Sequence, residues 1–538
     1  MFEEITSLKE VKSVDALVRD CVRHYENRVL LVSAEDGSEK TFWQIDAEIS
    51  KAANVLRSLG IHAEETVSLL LKNSPAFFAP WLGTIRLGGI ANPINLGIRD
   101  NMDRMTYILE QARAKVFITE KEYTESAKAI RKALPEIKII VIDDPNVSDI
   151  DWQEAAHKAS DAFPEVKVKP SDPFQIIFTS GTTGLPKGVV QNHSMLIDSV
   201  AIAGHFKYQQ GDVMMCVLPL FHVNAQYTSF FPALFYGSKL VLFEKFSASR
   251  FFPTISQWGV HHVSVVPSLL TRLLSHGLPK NKGDYQSLRF IICGAAPLSP
   301  DLQKRFMLES GIPVANGWGM TETGCWGCQS DPNAVVIGSM GKPLPINEMK
   351  IVNPETGREV RPGKIGRLLI KGPNIFREYF QNPKATAEAF RFGKGWFDTG
   401  DETFKDEHGS FYFVGRGSVD TGKVDGEFVN FLTLDQQLWK HPALSEVCCV
   451  GLPDSIRGSV VTACVVLAEG KKVTEDEIIH YCRQTLKFAP CEIPKYVLFV
   501  NEIPKGDTGK IQRRVMLEQA CQMLGISAEQ EKKSFSAG

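Results

Sequence analysis

Residues 179–188 read Thr-Ser-Gly-Thr-Thr-Gly-Leu-Pro-Lys-Gly, directly after the apolar run Phe174 to Phe178. Hydroxyls and glycine N–H groups donate hydrogen bonds to phosphate oxygens, and glycine lets the backbone approach an anion without a Cβ in the way. Thr179, Ser180, Gly181, Thr182, Thr183 and Gly184 supply those groups, and Lys187 adds a full positive charge near the terminal phosphates. The chemistry predicted is a bed for a nucleoside triphosphate. It is not a Walker A loop, which needs four residues between its glycines and then Gly-Lys-Ser/Thr. Here Gly181 and Gly184 are three apart, and Lys187 follows a proline. A plain Gly/Ser/Thr linker has no need of so ordered a string.

Further stretches complement this loop. In Asn316-Gly-Trp-Gly-Met-Thr-Glu-Thr-Gly324, Trp318 offers a flat face on which an adenine can stack. Glu322 is a hard oxygen ligand suited to Mg²⁺ held between protein and phosphates, and Thr321 can donate to a phosphate. Taken alone, the same stretch reads equally as a polar turn with a packed tryptophan. Gly294, Ala295 and Ala296 are small enough for the backbone to approach a flat base, while Ser299 and Pro300 read as the cap and first turn of a helix. Asp401, in Trp396-Phe-Asp-Thr-Gly-Asp401, can take both hydroxyls of a ribose. Arg416 can reach ribose or α-phosphate with a fork of donors. Lys510 follows Gly509 and so is uncrowded; beside Arg513 and Arg514 it otherwise reads as solvated basic surface.

The elements that must position these groups alternate through the first two thirds of the chain. Thr66 to Leu71, Lys115 to Thr119, Ile137 to Ile142, Val213 to Leu218, His262 to Val266 and Arg289 to Cys293 read as strands, and Asn101 to Arg113 as a helix. The fold class is α/β, with a large multi-sheet N-terminal domain and a small mobile α+β C-terminal domain. A break falls at the glycine-rich Gly415 to Gly426, which suits a hinge. The expected domains are 1–418, which carries most of the nucleotide-type motifs, and 419–538. The second has strand signals at Glu446 to Val450 and Val460 to Val466 and a helix signal at Glu475 to Lys487.

Composition bounds the partners. The 538 residues exceed what one core of roughly 250–300 residues holds. Lysine and arginine total 60 against 62 acidic residues, without the basic excess of a nucleic-acid binder. No run approaches the ~18 apolar residues of a membrane span. The eleven cysteines are odd in number and scattered, which fits packing and a cytoplasmic setting better than a disulfide framework. Cys325 and Cys328 form a C-x-x-C with no second pair, so zinc is not expected.

Taken in order, these motifs resemble those of the AMP-forming adenylating enzymes: acyl-CoA synthetases, firefly luciferases and the adenylation domains of peptide synthetases. The resemblance runs from Thr41-Phe-Trp to Lys510-Ile-Gln-Arg513. It implies an enzyme using ATP, Mg²⁺ and coenzyme A that activates a small carboxylic acid as acyl-AMP and then makes a thioester. It implies that the loop residues hold the β- and γ-phosphates, Glu322 the metal, Thr321 the α-phosphate, and Lys510 the carboxylate and α-phosphate during the first half-reaction. His222, in Leu218-Pro-Leu-Phe-His222-Val-Asn-Ala225, stands where the family gates the route between acyl and thiol sites. Val223-Asn224-Ala225 replaces the aspartate that pairs an amino acid's amine, and His222-Val-Asn-Ala-Gln-Tyr227 looks nearest to the crotonobetaine/carnitine–CoA ligase branch. Asn224, Gln226 and Trp326 then suggest a polar or short acid. The chain departs from the family pattern at Val419, with Asp420 one residue later than usual, at Gly422, and at Glu378-Tyr379 in place of Gly-Tyr. Two alternatives stay open: an enzyme that loads a separate carrier protein or releases acyl-AMP, and a non-catalytic nucleotide-binding module.

Overall fold

The computed structural model describes residues 11–179, 186–203, 208–425, 427–454, 457–506 and 511–526. The chain divides into two compact units: one takes it as far as Met349 together with Ile370–Phe397, the other takes Lys350–Leu369 and the chain from Asp398 onward.

Among the described residues, the first unit carries two sheets. One has the strand order Lys138–Val141, Ala114–Thr119, Thr66–Leu70, Ile90–Pro93, Pro173–Thr179, Lys187–Asn192. Its first five strands run parallel and the last returns antiparallel. Helices cover its faces, which is why all five residues of Thr66–Leu70 are buried, Thr66 and Ser68 included. The other sheet has nine strands, at whose centre Lys239–Leu242, Val213–Cys216, His262–Val265, Phe290–Cys293 and Val314–Trp318 are parallel. The strands expected from the sequence are present, within a residue or two at their ends, and the expected helix runs Met102–Gln111 with Asn101 as its cap. An aromatic cluster of Phe77, Phe78, Trp81, Phe230 and Phe231 fills the core of this unit.

The second unit contains the antiparallel pair Phe397–Lys405 and Phe411–Arg416, in a four-stranded sheet. It also contains a three-stranded sheet of Leu444–Asp454, Gly458–Leu467 and Tyr496–Phe499. Alternation along these strands separates two cores. Val447, Cys449, Val461, Ala463 and Val465 pack against Leu434, Leu438, Ile478 and Cys482 of two helices. Cys448, Val450, Val460 and Cys464 pack on the opposite face against Met516, Leu517 and Ala520 of the helix Arg513–Met523. In the glycine-rich stretch after Gly415 the strand ends at Arg416, one helical turn spans Gly417–Asp420, and Thr421–Val424 forms a further strand.

Candidate active site

The ends of the hydroxyl-rich loop are fixed by a hairpin. Pro173–Thr179 and Lys187–Asn192 pair antiparallel, with Thr179 opposite Lys187. Ser180, Gly181, Thr182, Thr183 and Gly184 lie outside the described residues, as does Lys510.

Beside this hairpin sits Glu322, in the short helical turn Thr321–Thr323. Its carboxylate is buried, and its Oε1 accepts a hydrogen bond of 2.9 Å from the Tyr379 hydroxyl. No lysine, arginine or histidine pairs with it among the described residues. The Tyr379 ring in turn carries the Lys187 ammonium on its face, 5.2 Å from the ring centre. The peptide around Tyr379 is zipped onto the hairpin: Phe380 N–H donates to the Gly188 carbonyl at 2.7 Å, and Val190 N–H to that of Glu378 at 3.2 Å. Phe376 N–H donates to the Glu322 carbonyl at 2.8 Å. Lys187, Tyr379 and Glu322 are thus one contiguous set. A buried carboxylate with one oxygen taken by a hydroxyl and no cationic partner fits Mg²⁺, which takes one or two protein carboxylates and completes its shell with phosphate and water oxygens. Among the described residues no three His, Cys, Asp or Glu side chains gather into an all-protein metal cage.

The base-side motifs stand at the carboxyl ends of two adjacent parallel strands, where open α/β sheets bind ligands. Cys293 pairs with Asn316 in register, which brings Gly294, Ala295 and Ala296 alongside Asn316, Gly317 and Trp318. A Cβ on Gly294 would lie 2.9 Å from the Gly317 carbonyl oxygen, so the close approach requires glycine. Ala295 adopts φ +64°, a left-handed conformation uncommon outside glycine, asparagine and aspartate. The Asn316 amide donates to the Ser339 carbonyl at 3.0 Å. Trp318 is packed, with its ring against Gly327, where a Cβ would come within 2.5 Å. Ser299 caps the helix Pro300–Ser310, as its sequence suggests. Burial pushes the Cys325 thiol up to about 12 and Cys328 higher still, so neither is a ready thiolate.

On the acyl side, His222 immediately precedes a short helical stretch starting at Val223, and its ring leans on Phe221 at 4.7 Å. The Asn224 side-chain oxygen accepts from Ser264 at 2.8 Å and Thr228 at 3.0 Å. Gln226 is drawn inward into a buried network. Its side-chain oxygen accepts from Gln175 at 2.8 Å and its amide donates to the Leu220 carbonyl at 2.8 Å. Gln175 also donates to Gln191, which accepts from Tyr227 at 3.0 Å and donates to the Thr321 carbonyl at 3.1 Å. A continuous polar relay therefore joins the acyl-side motif to the turn bearing Glu322. Sequence reading passed over Gln175 and Gln191 as strand residues and noted Tyr379 only as part of a departure. Asn374 was missed as well: its amide donates to the Thr323 and Trp326 carbonyls at 2.7 and 2.8 Å, fixing the turn from behind.

In the second unit, Asp401 and Arg416 face each other across the antiparallel pair and form an ion pair of 3.1 Å. Asp420 accepts at Oδ2 from the Arg416 N–H at 3.1 Å and at Oδ1 from the Arg513 guanidinium at 2.9 Å. Arg513 is buried and bridges on to Asp435 at 2.7 Å.

The hairpin ends, the close strand pair and the buried carboxylate thus stand in the first unit, whose sequence matches a known enzyme family. The AMP-binding enzyme family profile matches residues 18–380, and the profile of the AMP-binding enzyme C-terminal domain matches residues 433–510. The chain belongs to this family and is an AMP-forming acid–thiol ligase. Its relatives include a 4-coumarate–CoA ligase of Solanum tuberosum, 30% identical over 91% of this chain and 90% of that protein. A crotonobetaine/carnitine–CoA ligase of Citrobacter koseri is 30% identical over 92% of this chain and 97% of its own length. Among solved structures, an anthranilate CoA ligase in complex with anthranoyl-AMP superposes with a TM-score of 0.86 at 27% identity, covering 96% of this chain and 98% of that one. ATP-bound MatB from Rhodopseudomonas palustris superposes with a TM-score of 0.85 at 26% identity, covering 94% and 98%.

Proposed function

We propose that this protein joins a small carboxylic acid to coenzyme A through an acyl-AMP intermediate. The observation that supports the reading is the set Lys187–Tyr379–Glu322, in which a lysine ammonium and a buried carboxylate meet one tyrosine beside the hairpin end.

In the first half-reaction the acid's carboxylate attacks the α-phosphate of ATP and pyrophosphate leaves. An anion must approach a polyanion, so the barrier is set by charge, and preorganised donors lower it. Thr179, Ser180, Thr182, Thr183 and Lys187 hold the β- and γ-phosphates, with Gly181 and Gly184 giving the backbone room. Thr321 donates to the α-phosphate. Gly294, Ala295, Ala296, Asn316, Gly317 and Trp318 line the adenine, Asp401 takes the ribose hydroxyls, and Arg416 supports ribose and α-phosphate. Glu322 holds Mg²⁺, which when bound neutralises charge on the phosphate oxygens. Lys510 screens the incoming carboxylate. No protein nucleophile is needed, since in-line transfer at phosphorus rests on positioning and charge. In the second half-reaction the thiol of coenzyme A attacks the acyl carbon and AMP leaves, with His222 at the passage between acyl and thiol sites. Residues 1–418 serve as the ATP- and acyl-binding domain and 419–538 as the lid. The Asn224 amide, held by Thr228 and Ser264, supports a polar or short acid.

The test is a pyrophosphate-release screen over a panel of carboxylic acids, followed by thiol-dependent AMP release with coenzyme A or a holo-carrier protein. Acid-dependent pyrophosphate and coenzyme A-dependent AMP are expected. AMP release only with the carrier would replace the acceptor, and no pyrophosphate with any acid would reject the reading.

A further inference from the structure

Tyr379 belongs to none of the nucleotide motifs, yet it touches two of them. Its hydroxyl donates to Glu322 Oε1 at 2.9 Å, and its ring carries the Lys187 ammonium at 5.2 Å. The side chain is 8% exposed and packs on Phe376 at 4.8 Å between ring centres. Its backbone N–H donates to Thr386 Oγ1 at 3.0 Å, so it cannot slide along the hairpin without breaking that bond and the ladder contacts of Phe380 and Val190.

We infer that Tyr379 is a positioning residue that fixes the Glu322 carboxylate and the Lys187 ammonium relative to each other, so that metal and triphosphate are bound as one unit. This rests on the reading that Glu322 holds the metal. The hydroxyl occupies Oε1 and thereby orients the carboxylate, leaving Oε2 without a hydrogen-bond partner among the described residues. A hydrogen bond that aims a metal-ligating carboxylate commonly matters 10–100-fold in metal affinity or activity. The ring does a different job: its face attracts a cation, which keeps Lys187 beside the hairpin when no phosphate is present. Tyrosine alone among ordinary side chains combines that donor with that face at this length. The two jobs separate by substitution, since Tyr379→Phe keeps the ring and loses the donor, while Tyr379→Leu loses both.

The experiment is calorimetric binding of α,β-methylene-ATP to the full chain, with and without Mg²⁺, alongside acid-dependent pyrophosphate exchange and thermal melting. For Tyr379→Phe the free Mg²⁺ needed for half-maximal exchange should rise roughly 10-fold or more, the range seen when such an orienting bond is lost. Metal-free nucleotide binding should stay within error of the parent chain, and melting should stay cooperative and fall by no more than about a few degrees, the effect of one stranded acceptor. Tyr379→Leu should also weaken metal-free binding. Glu322→Gln separates the two layers of the argument. If Glu322→Gln leaves Mg²⁺ dependence unchanged, the assignment of the metal to Glu322 fails. If Glu322→Gln abolishes that dependence while Tyr379→Phe leaves it unmoved, the positioning role is overturned and the metal assignment stands.

Discussion

Among the described residues the buried aspartates and arginines sit in matched sets, and Glu322 and Glu120 stand outside them. Arg86 is held by Asp15 and Asp46, Asp212 by Arg289 and His262, and Arg513 by Asp420 and Asp435. Glu322 has a neutral hydroxyl instead. Desolvating an ion costs several kcal/mol even after relaxation, so a carboxylate kept this way is poised for a cation that arrives with the substrate. In the proposed mechanism the complementary residue is Lys510, whose charge would be needed only while carboxylate and α-phosphate approach. Lys510→Ala should lower adenylate formation by more than ~100-fold, the scale of removing one preorganised charge stabiliser. Thioester formation from supplied acyl-AMP should survive. Single-turnover assays of each half-reaction check this, and an equal loss in both would contradict separate roles.

At the scale of elements, the helical turn Gly417–Asp420 follows the strand Phe411–Arg416, and one carboxylate at its end reaches both sides: Arg416 before it and Arg513 after it. That arrangement suits a pivot. Asp420→Pro removes the carboxylate and fixes φ; it should spare pyrophosphate exchange and stop thioester synthesis, and unimpaired thioester synthesis would reject the pivot. The sequence made the scaffold of this site legible because buried parallel strands are near-continuous apolar runs, such as Ile139–Val141 and Phe290–Cys293. The Ser299-Pro300 helix start was legible for the same local reason: the cap and the first turn are sequence neighbours. Contacts between distant segments were not. Tyr379 and Glu322 are 57 positions apart, and Gln191 and Thr321 130 apart, so no local pattern announces them. Gln175 and Gln191 look like ordinary polar strand residues until the fold sets them beside Gln226, Tyr227 and Trp81. Gln175→Leu should leave Gln191 and Gln226 each short of a donor and destabilise the chain by roughly 1–3 kcal/mol, the cost of stranding a buried polar group. Chemical denaturation measures it, and a neutral effect would show the relay to be dispensable for stability.

For the whole molecule, two buried groups give stability a defined pH dependence. His193 accepts the Val14 N–H at Nδ1 from within the core, and burial lowers its pKa from 6.5 to about 4. Between those values the unfolded chain binds a proton that the folded chain does not, so stability falls as pH drops through that window. Burial raises Glu120 from 4.5 to about 7, with Lys72 opposing it. There the folded chain keeps a proton that the unfolded chain has lost, so stability falls as pH rises from 4.5 towards 7. Melting temperature against pH should therefore lose part of its acid limb in His193→Gln and part of its neutral limb in Glu120→Gln; unchanged slopes would contradict the two assignments. The chemistry of the whole chain turns on which phosphorus the acid attacks. The direct measurement is turnover of an acid labelled with ¹⁸O in both carboxylate oxygens, with mass analysis of the products. Attack at the α-phosphate predicts one ¹⁸O in AMP and none in pyrophosphate. Label in inorganic phosphate or pyrophosphate, with none in AMP, would contradict it.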